Sequence, residues 1–139
     1  MIFVDENKTF NVKIWYKKEI NPDTGEELFE VSITPKEEWN CVICECIHPS
    51  AEKLSNILEQ ATIVNAVDKR PILQTKRFRD LTWICFIKKM TVIENNEEKK
   101  YDVNSEIIEK LNWNISNAIF IKYLIQTGIM KSLESSILE

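Results

Sequence analysis

Lys76-Arg77-Phe78-Arg79-Asp80-Leu81-Thr82-Trp83-Ile84-Cys85-Phe86-Ile87-Lys88-Lys89-Met90 is basic at both ends and apolar nearly all round in the middle. Such a stretch is most stable as a helix covered on several sides. The pattern predicts a helix that begins between Pro71 and Thr75 and runs to about Thr91. The remainder of the fold is then whatever covers it.

Working toward the N-terminus, Ser50 is placed to cap a helix whose apolar face is Leu54, Ile57, Leu58, Ala61 and Val64, ended by the polar break at residues 68–71. Before it, Thr34-Pro35-Lys36-Glu37 has the residues of a helix start: threonine for the cap, proline for the first position, glutamate to bond back. Trp39, Val42, Ile43, Cys46 and Ile47 follow at helical spacing, and His48-Pro49 would stop that helix. Further upstream, Phe10, Val12, Ile14 and Tyr16 alternate with polar neighbours and Trp15, and Phe29, Val31 and Ile33 alternate with Glu30 and Ser32. These are half-buried strands. Asn21-Pro22-Asp23-Thr24-Gly25 between them is a hairpin loop. Ile2-Phe3-Val4 is a candidate for a short third strand.

Working toward the C-terminus, residues 91–93 and 101–103 read as two short strands about a charged turn. Asn104 or Ser105 caps a short helix, Asn112-Trp113-Asn114 interrupts it, and residues 115–127 form an apolar helix with Gly128 as its C-cap. The tail carries Ile129, Met130, Leu133 and Ile137 at helical spacing. The predicted class is α+β: an N-terminal antiparallel β-hairpin packed beside a four- to five-helix bundle, with a second short hairpin near residues 91–103. At 139 residues this is one domain, with residues 1–33 as the hairpin region, 34–128 as a mainly helical core and 129–139 as an amphipathic tail.

Composition narrows function by exclusion. Two glycines, far apart, make no phosphate cradle, and a net charge of −4 does not mark a polyanion binder. The N-terminus lacks the basic and apolar regions of a signal peptide, and no apolar run has bilayer length. The four cysteines are therefore expected as thiols in a reducing cytoplasm.

Cys41-Val42-Ile43-Cys44-Glu45-Cys46-Ile47-His48 holds three thiols and the chain's one imidazole. On a helix Cys41, Cys44 and His48 would share a face. A zinc site or a thiol nucleophile is the chemistry this spacing suggests. Zinc knuckles, however, need a tight turn, and the stretch carries an apolar stripe. Buried thiols acting as small hydrophobes are the expectation, with no catalytic residue, metal ligand or cofactor assigned.

Residues 69–90 hold seven basic side chains against Asp80, a net +6 in a chain of net −4. Arg70, Arg77 and Arg79 are candidate contacts to an acidic partner. A solvated rim whose stems cover apolar surface is the plain alternative. No aromatic residues interleave the cations as in a single-strand binder, so nucleic acid is not expected. Trp15 points away from the predicted core and is a candidate contact, as are Met130, Leu133 and Ile137 of the tail. The hairpin edges are candidates for pairing with another chain.

The order of elements resembles the small structural and assembly proteins of tailed bacteriophages, tail assembly chaperones among them. A polar hairpin leads to Thr34-Pro35-Lys36-Glu37-Glu38-Trp39. A basic-flanked helix leads to Tyr101-Asp102-Val103-Asn104-Ser105-Glu106, then Leu111-Asn112-Trp113 and an apolar helix. The resemblance is one of layout and carries no site residue. It implies a non-enzymatic protein of the bacterial host cytoplasm or the virion that binds another phage or host protein, with no membrane role and a homo-oligomer left open. A small inhibitor of a host defence nuclease, acting through a charged surface, is the alternative.

Overall fold

The computed structural model describes residues 3–138, with side chains through residue 133. In chain order the elements are β1 Thr9–Ile20, β2 Glu27–Ser32, β3 Asn40–Ile47, α1 Ala51–Ala61, β4 Thr62–Val64 and β5 Pro71–Leu73. Then come α2 Thr75–Phe86, β6 Ile87–Glu94, β7 Glu97–Asp102, α3 Ser105–Lys110, α4 Trp113–Gln126 and α5 Ile129–Leu138.

The fold is α+β. Five antiparallel strands form one sheet in the order β2-β1-β3-β6-β7, and β4 and β5 pair separately as a small hairpin. The N-terminal hairpin thus does not stand alone beside a bundle. β3, β6 and β7 extend it into a full sheet, and the helices supply the second layer.

Two stretches expected to be helical, residues 40–47 and 87–90, lie in strands of the main sheet. Residues 40–47 form β3, between β1 and β6, where Val42, Cys44 and Cys46 face the helices and are buried while Ile43 and Glu45 on the other face are half-covered. A central strand covered on one face and partly on the other reads as an almost unbroken apolar run, which fits both periods. The apparent helix start at residues 34–37 opens no helix, and Glu38 takes a left-handed φ of 65° instead. Likewise the central helix stops at Phe86 rather than near Thr91. Ile87 begins β6 with no intervening loop, its N–H still bonded to the Trp83 carbonyl. The β-branched run Thr91-Val92-Ile93 suits a pleated surface. Val64 lies in β4, beyond the end of α1. Phe3 and Val4 belong to no strand, and Ile2 is outside the described residues.

Other local signals act as the chemistry dictates. The β6–β7 turn places Asn95 and Asn96 at φ of 53° and 65°, as a two-residue hairpin with right-handed strand twist requires. Ser50, Asn104 and Asn112 cap α1, α3 and α4 with their side chains. Gly128, at φ 79°, follows α4.

The core lies between the sheet and the helices. Trp83 is fully buried and donates from Nε1 to the Ser116 carbonyl at 3.2 Å. Phe78 meets Phe120 edge-on at 5.3 Å, and Phe86 stacks on Tyr123 at 5.7 Å. The Tyr123 hydroxyl donates to the Ile47 carbonyl at 2.8 Å, which ties α4 to the end of β3. α2 is thus covered on one face only, through Phe78, Thr82, Trp83 and Phe86; it is not covered on several sides as its composition predicts, and Ile84 in its middle is 49% exposed.

Candidate interaction surfaces

The two-layer arrangement leaves one face of the sheet without a helix. Register defines its rows: Ser32, Trp15, Cys41, Ile93 and Glu98; then Lys13, Ile43, Thr91 and Lys100; then Asn11, Glu45, Lys89 and Asp102. Trp15, Cys41, Ile43 and Ile93 form an apolar centre, and charged side chains surround it. A hollow runs along this face beside β6 and β7.

Trp15 points out of the core, as its place in the alternation predicts, but it is half-covered. The Lys13 ammonium lies 5.3 Å from its ring centroid and that of Lys122 4.8 Å. Lys122 comes from α4 for a reason. β2 pairs with β1 only from Trp15 onward, so the earlier part of β1 has an open edge. Lys122 donates to the Lys13 carbonyl there, and Gln126 Nε2 donates to that of Asn11 at 3.3 Å. Burial, and then the neighbouring Lys13, hold the Lys122 ammonium below the usual lysine range.

The cysteine–histidine stretch is pulled apart by the strand. Cys41 lies on the open face, Cys44 and Cys46 on the core face, and the exposed His48 ring rests 4.4 Å from that of Phe10. Cys41, Cys44 and His48 therefore do not share a face. Burial pushes the Cys44 thiol well above its ordinary value and that of Cys46 up to about 12, the opposite of what a nucleophile needs. Among the described residues no group of three His, Cys, Asp or Glu side chains is placed to hold a metal ion.

The basic segment is likewise divided. Arg70 sits on the β4–β5 hairpin, with its side chain 83% exposed and Asp68 4.0 Å away. Arg77 is exposed, but its Nε is bonded to the Gln60 carbonyl at 2.8 Å. The Arg79 side chain is largely covered. Its Nε lies 3.7 Å from Asp80 and makes no hydrogen bond. Lys88 and Lys89 lie on β6. The segment does not form one cationic face.

In the tail, Ile129 is buried, and Met130 and Leu133 pack against the core. Ile137 lies outside the described side chains. No helix among the described residues is long and apolar enough to cross a membrane.

Sequence reasoning missed the β4–β5 hairpin. It exposes Ile63, Val64, Ile72 and Leu73, and Val67 at its tip is 92% exposed. The available signal was Asn65 four residues before Lys69, the spacing that also separates Asn21 from Gly25. Compared with family models, with curated proteins and with solved structures, the chain matches none.

Proposed function

We propose that this chain is a non-enzymatic binding protein of the phage tail-assembly kind, which takes an apolar helix or strand of another phage protein on its open sheet face. The observation that carries the reading is the row Trp15, Cys41 and Ile93, with Ile43 beside it: apolar groups at the centre of a sheet face that has no second layer. Interfaces of this sort anchor on a few apolar side chains inside a polar rim. Lys13, Glu45, Lys89, Glu98 and Lys100 form such a rim here. The resemblance in layout supplies the class of partner. The charged-surface inhibitor has less to stand on, because Arg77 is engaged with the end of α1, Arg79 is largely covered, and the basic residues do not share one face.

The test is co-expression with the proteins of the source tail operon, the long helical tape-measure protein first, and purification through this chain. Retention of a tail protein by the parent chain and its loss with Ile93→Asp or Trp15→Glu is the expected result. If the parent chain retains none of them, or if both variants retain the same protein as well as the parent does, the reading fails.

A further inference from the structure

The β4–β5 hairpin is an arm that the rest of the molecule does not explain. Isolated two-stranded hairpins are marginal in water, and this one leaves apolar side chains on both faces uncovered. Its root is held by Gln74 N–H on the Ala61 carbonyl at 2.7 Å and by Arg77 on Gln60. Lys69 and Arg70 against Asp68 give the hairpin, residues 62–73, a net charge of +1, and Lys76 and Arg77 follow at its root on α2.

The opposite character is found at the outer end of the β1–β2 hairpin. Residues 19–30 hold five carboxylates; Lys17 and Lys18 stand across the hairpin from Glu30 and Phe29, with Lys17 3.3 Å from Glu19, so Asp23, Glu26 and Glu27 carry the negative charge of the outer end. Ile20 is 69% exposed there and Leu28 48%. β2 is an end strand of the sheet. Its Phe29 carbonyl accepts from Asn114 Nδ2 at 3.1 Å, and no other side-chain hydrogen bond is made to the β2 backbone among the described residues. This end therefore offers one apolar side chain on each face of the hairpin, Leu28 on one and Ile20 on the other, with negative charge and a strand edge beside them.

We infer that the arm of one molecule docks on the outer end of the β1–β2 hairpin of a second copy of this chain. Charge complementarity selects that occupant: a basic apolar projection and an acidic apolar receptor are carried by the same sequence, on different elements. Because the two patches differ, the contact is head-to-tail, and repetition closes a ring or extends a filament. The inference goes beyond the binding reading above and uses a different surface, so neither experiment decides the other.

Sedimentation velocity of the full chain tests it, with two surface variants: Val67→Ser with Arg70→Glu in the arm, and Glu27→Lys with Leu28→Ser in the receptor. The parent is expected to grow past the 16.4 kDa monomer as concentration rises, and to shrink again in high salt. Each variant alone stays monomeric with an unchanged circular dichroism spectrum. Mixed, the two stop at a dimer, since each keeps the half that the other has lost. A parent that remains monomeric at about 100 μM, where an interface of that Kd would be half-populated, overturns the inference. So does assembly that either variant leaves unchanged, which would mean arm-to-arm contact or another face.

Discussion

Gly25 and Lys69 hold the same place in two hairpin loops of one form. In the first, Asn21 N–H donates to Glu26 O and Gly25 N–H to Asn21 O, both at 2.8 Å, while Asn21 Oδ1 accepts from Asp23 N–H at 2.9 Å. In the second, Asn65 N–H donates to Arg70 O at 2.9 Å and Lys69 N–H to Asn65 O at 3.0 Å, while Asn65 Oδ1 accepts from Val67 N–H at 2.8 Å. The φ angles are 71° and 61°. Glycine takes that conformation freely, whereas an L side chain there costs about 1–2 kcal/mol.

The arm is thus built on a turn that its sequence strains. Lys69→Gly should firm it, with relief of strain partly offset by glycine's extra freedom in the unfolded chain, leaving a gain of about 0.5–1 kcal/mol. Lys69→Val, β-branched, should loosen it. Hydrogen exchange of residues 62–73 reads this out: several-fold slower in the first variant, faster in the second. Equal exchange in all three proteins would show that the turn does not control the arm.

The same pair explains what could be read in advance and what could not. The first loop was legible because proline and glycine stand where the turn requires them. The second was not, because lysine occupies the glycine position and the preceding apolar residues continue the periodicity of α1. Strand β3 was hidden differently. Val42, Cys44 and Cys46 alternate correctly, but Trp39, Ile43 and Ile47 fill the gaps and complete a helical stripe. At Ile87 the chain passes from helix to strand without a turn residue, so composition gave no mark. The caps made by Ser50 and Asn104 and the turn at Gly25 were legible, whereas the turn on Asn65 was not. The open face around Trp15 was legible only in its first strand, since its other members lie on strands whose pairing decides which side they face.

Thiol chemistry should divide the four cysteines by their place in the sheet. Cys85 is half-exposed on α2, Cys41 nearly covered on the open face, and Cys44 and Cys46 fully buried. In native protein an aromatic disulfide reagent should modify Cys85 first and Cys41 more slowly. Cys44 and Cys46 should react only as fast as the molecule opens, on the order of 100-fold slower or less. Peptide mapping that finds Cys44 or Cys46 labelled as rapidly as Cys85 would place β3 wrongly.

Glu94 gives stability a defined acid limb. Its carboxylate pairs with the Lys18 ammonium and accepts from the Tyr16 hydroxyl at 3.2 Å, and these contacts hold it below the usual glutamate range despite partial burial. A depressed folded value means the stabilisation is complete above the unfolded value, about 4.3, and is lost as pH falls through the folded one. Lys18 shows the matching shift: the bond to Glu94 raises it, so its share is lost only as pH rises past the usual lysine range. Both groups are about a third exposed, which limits the pair to about 1 kcal/mol or less. Urea titrations of Glu94→Gln should show a flatter pH dependence below about pH 5 than the parent. Parallel curves for the two proteins would assign the acid limb elsewhere.

The β1 edge is the last point at which one helix decides the behaviour of the sheet. A strand edge with free carbonyls is a template for another chain, and α4 occupies it with Lys122 on Lys13 and Gln126 on Asn11. Replacing both by alanine removes the two side-chain donors that reach those carbonyls, at about 0.5–1.5 kcal/mol each. It also takes one of two cations off the Trp15 ring. The double variant should lose about 1–3 kcal/mol in urea unfolding and scatter light more strongly than the parent at equal concentration, with faster exchange of the Val12 and Ile14 amides, which face β3. Lys122→Arg keeps a donor of similar reach and should retain most of the stability. If the alanine variant matches the parent in stability, scattering and exchange, water serves those carbonyls as well as α4 does, and the helix is present for its buried face alone.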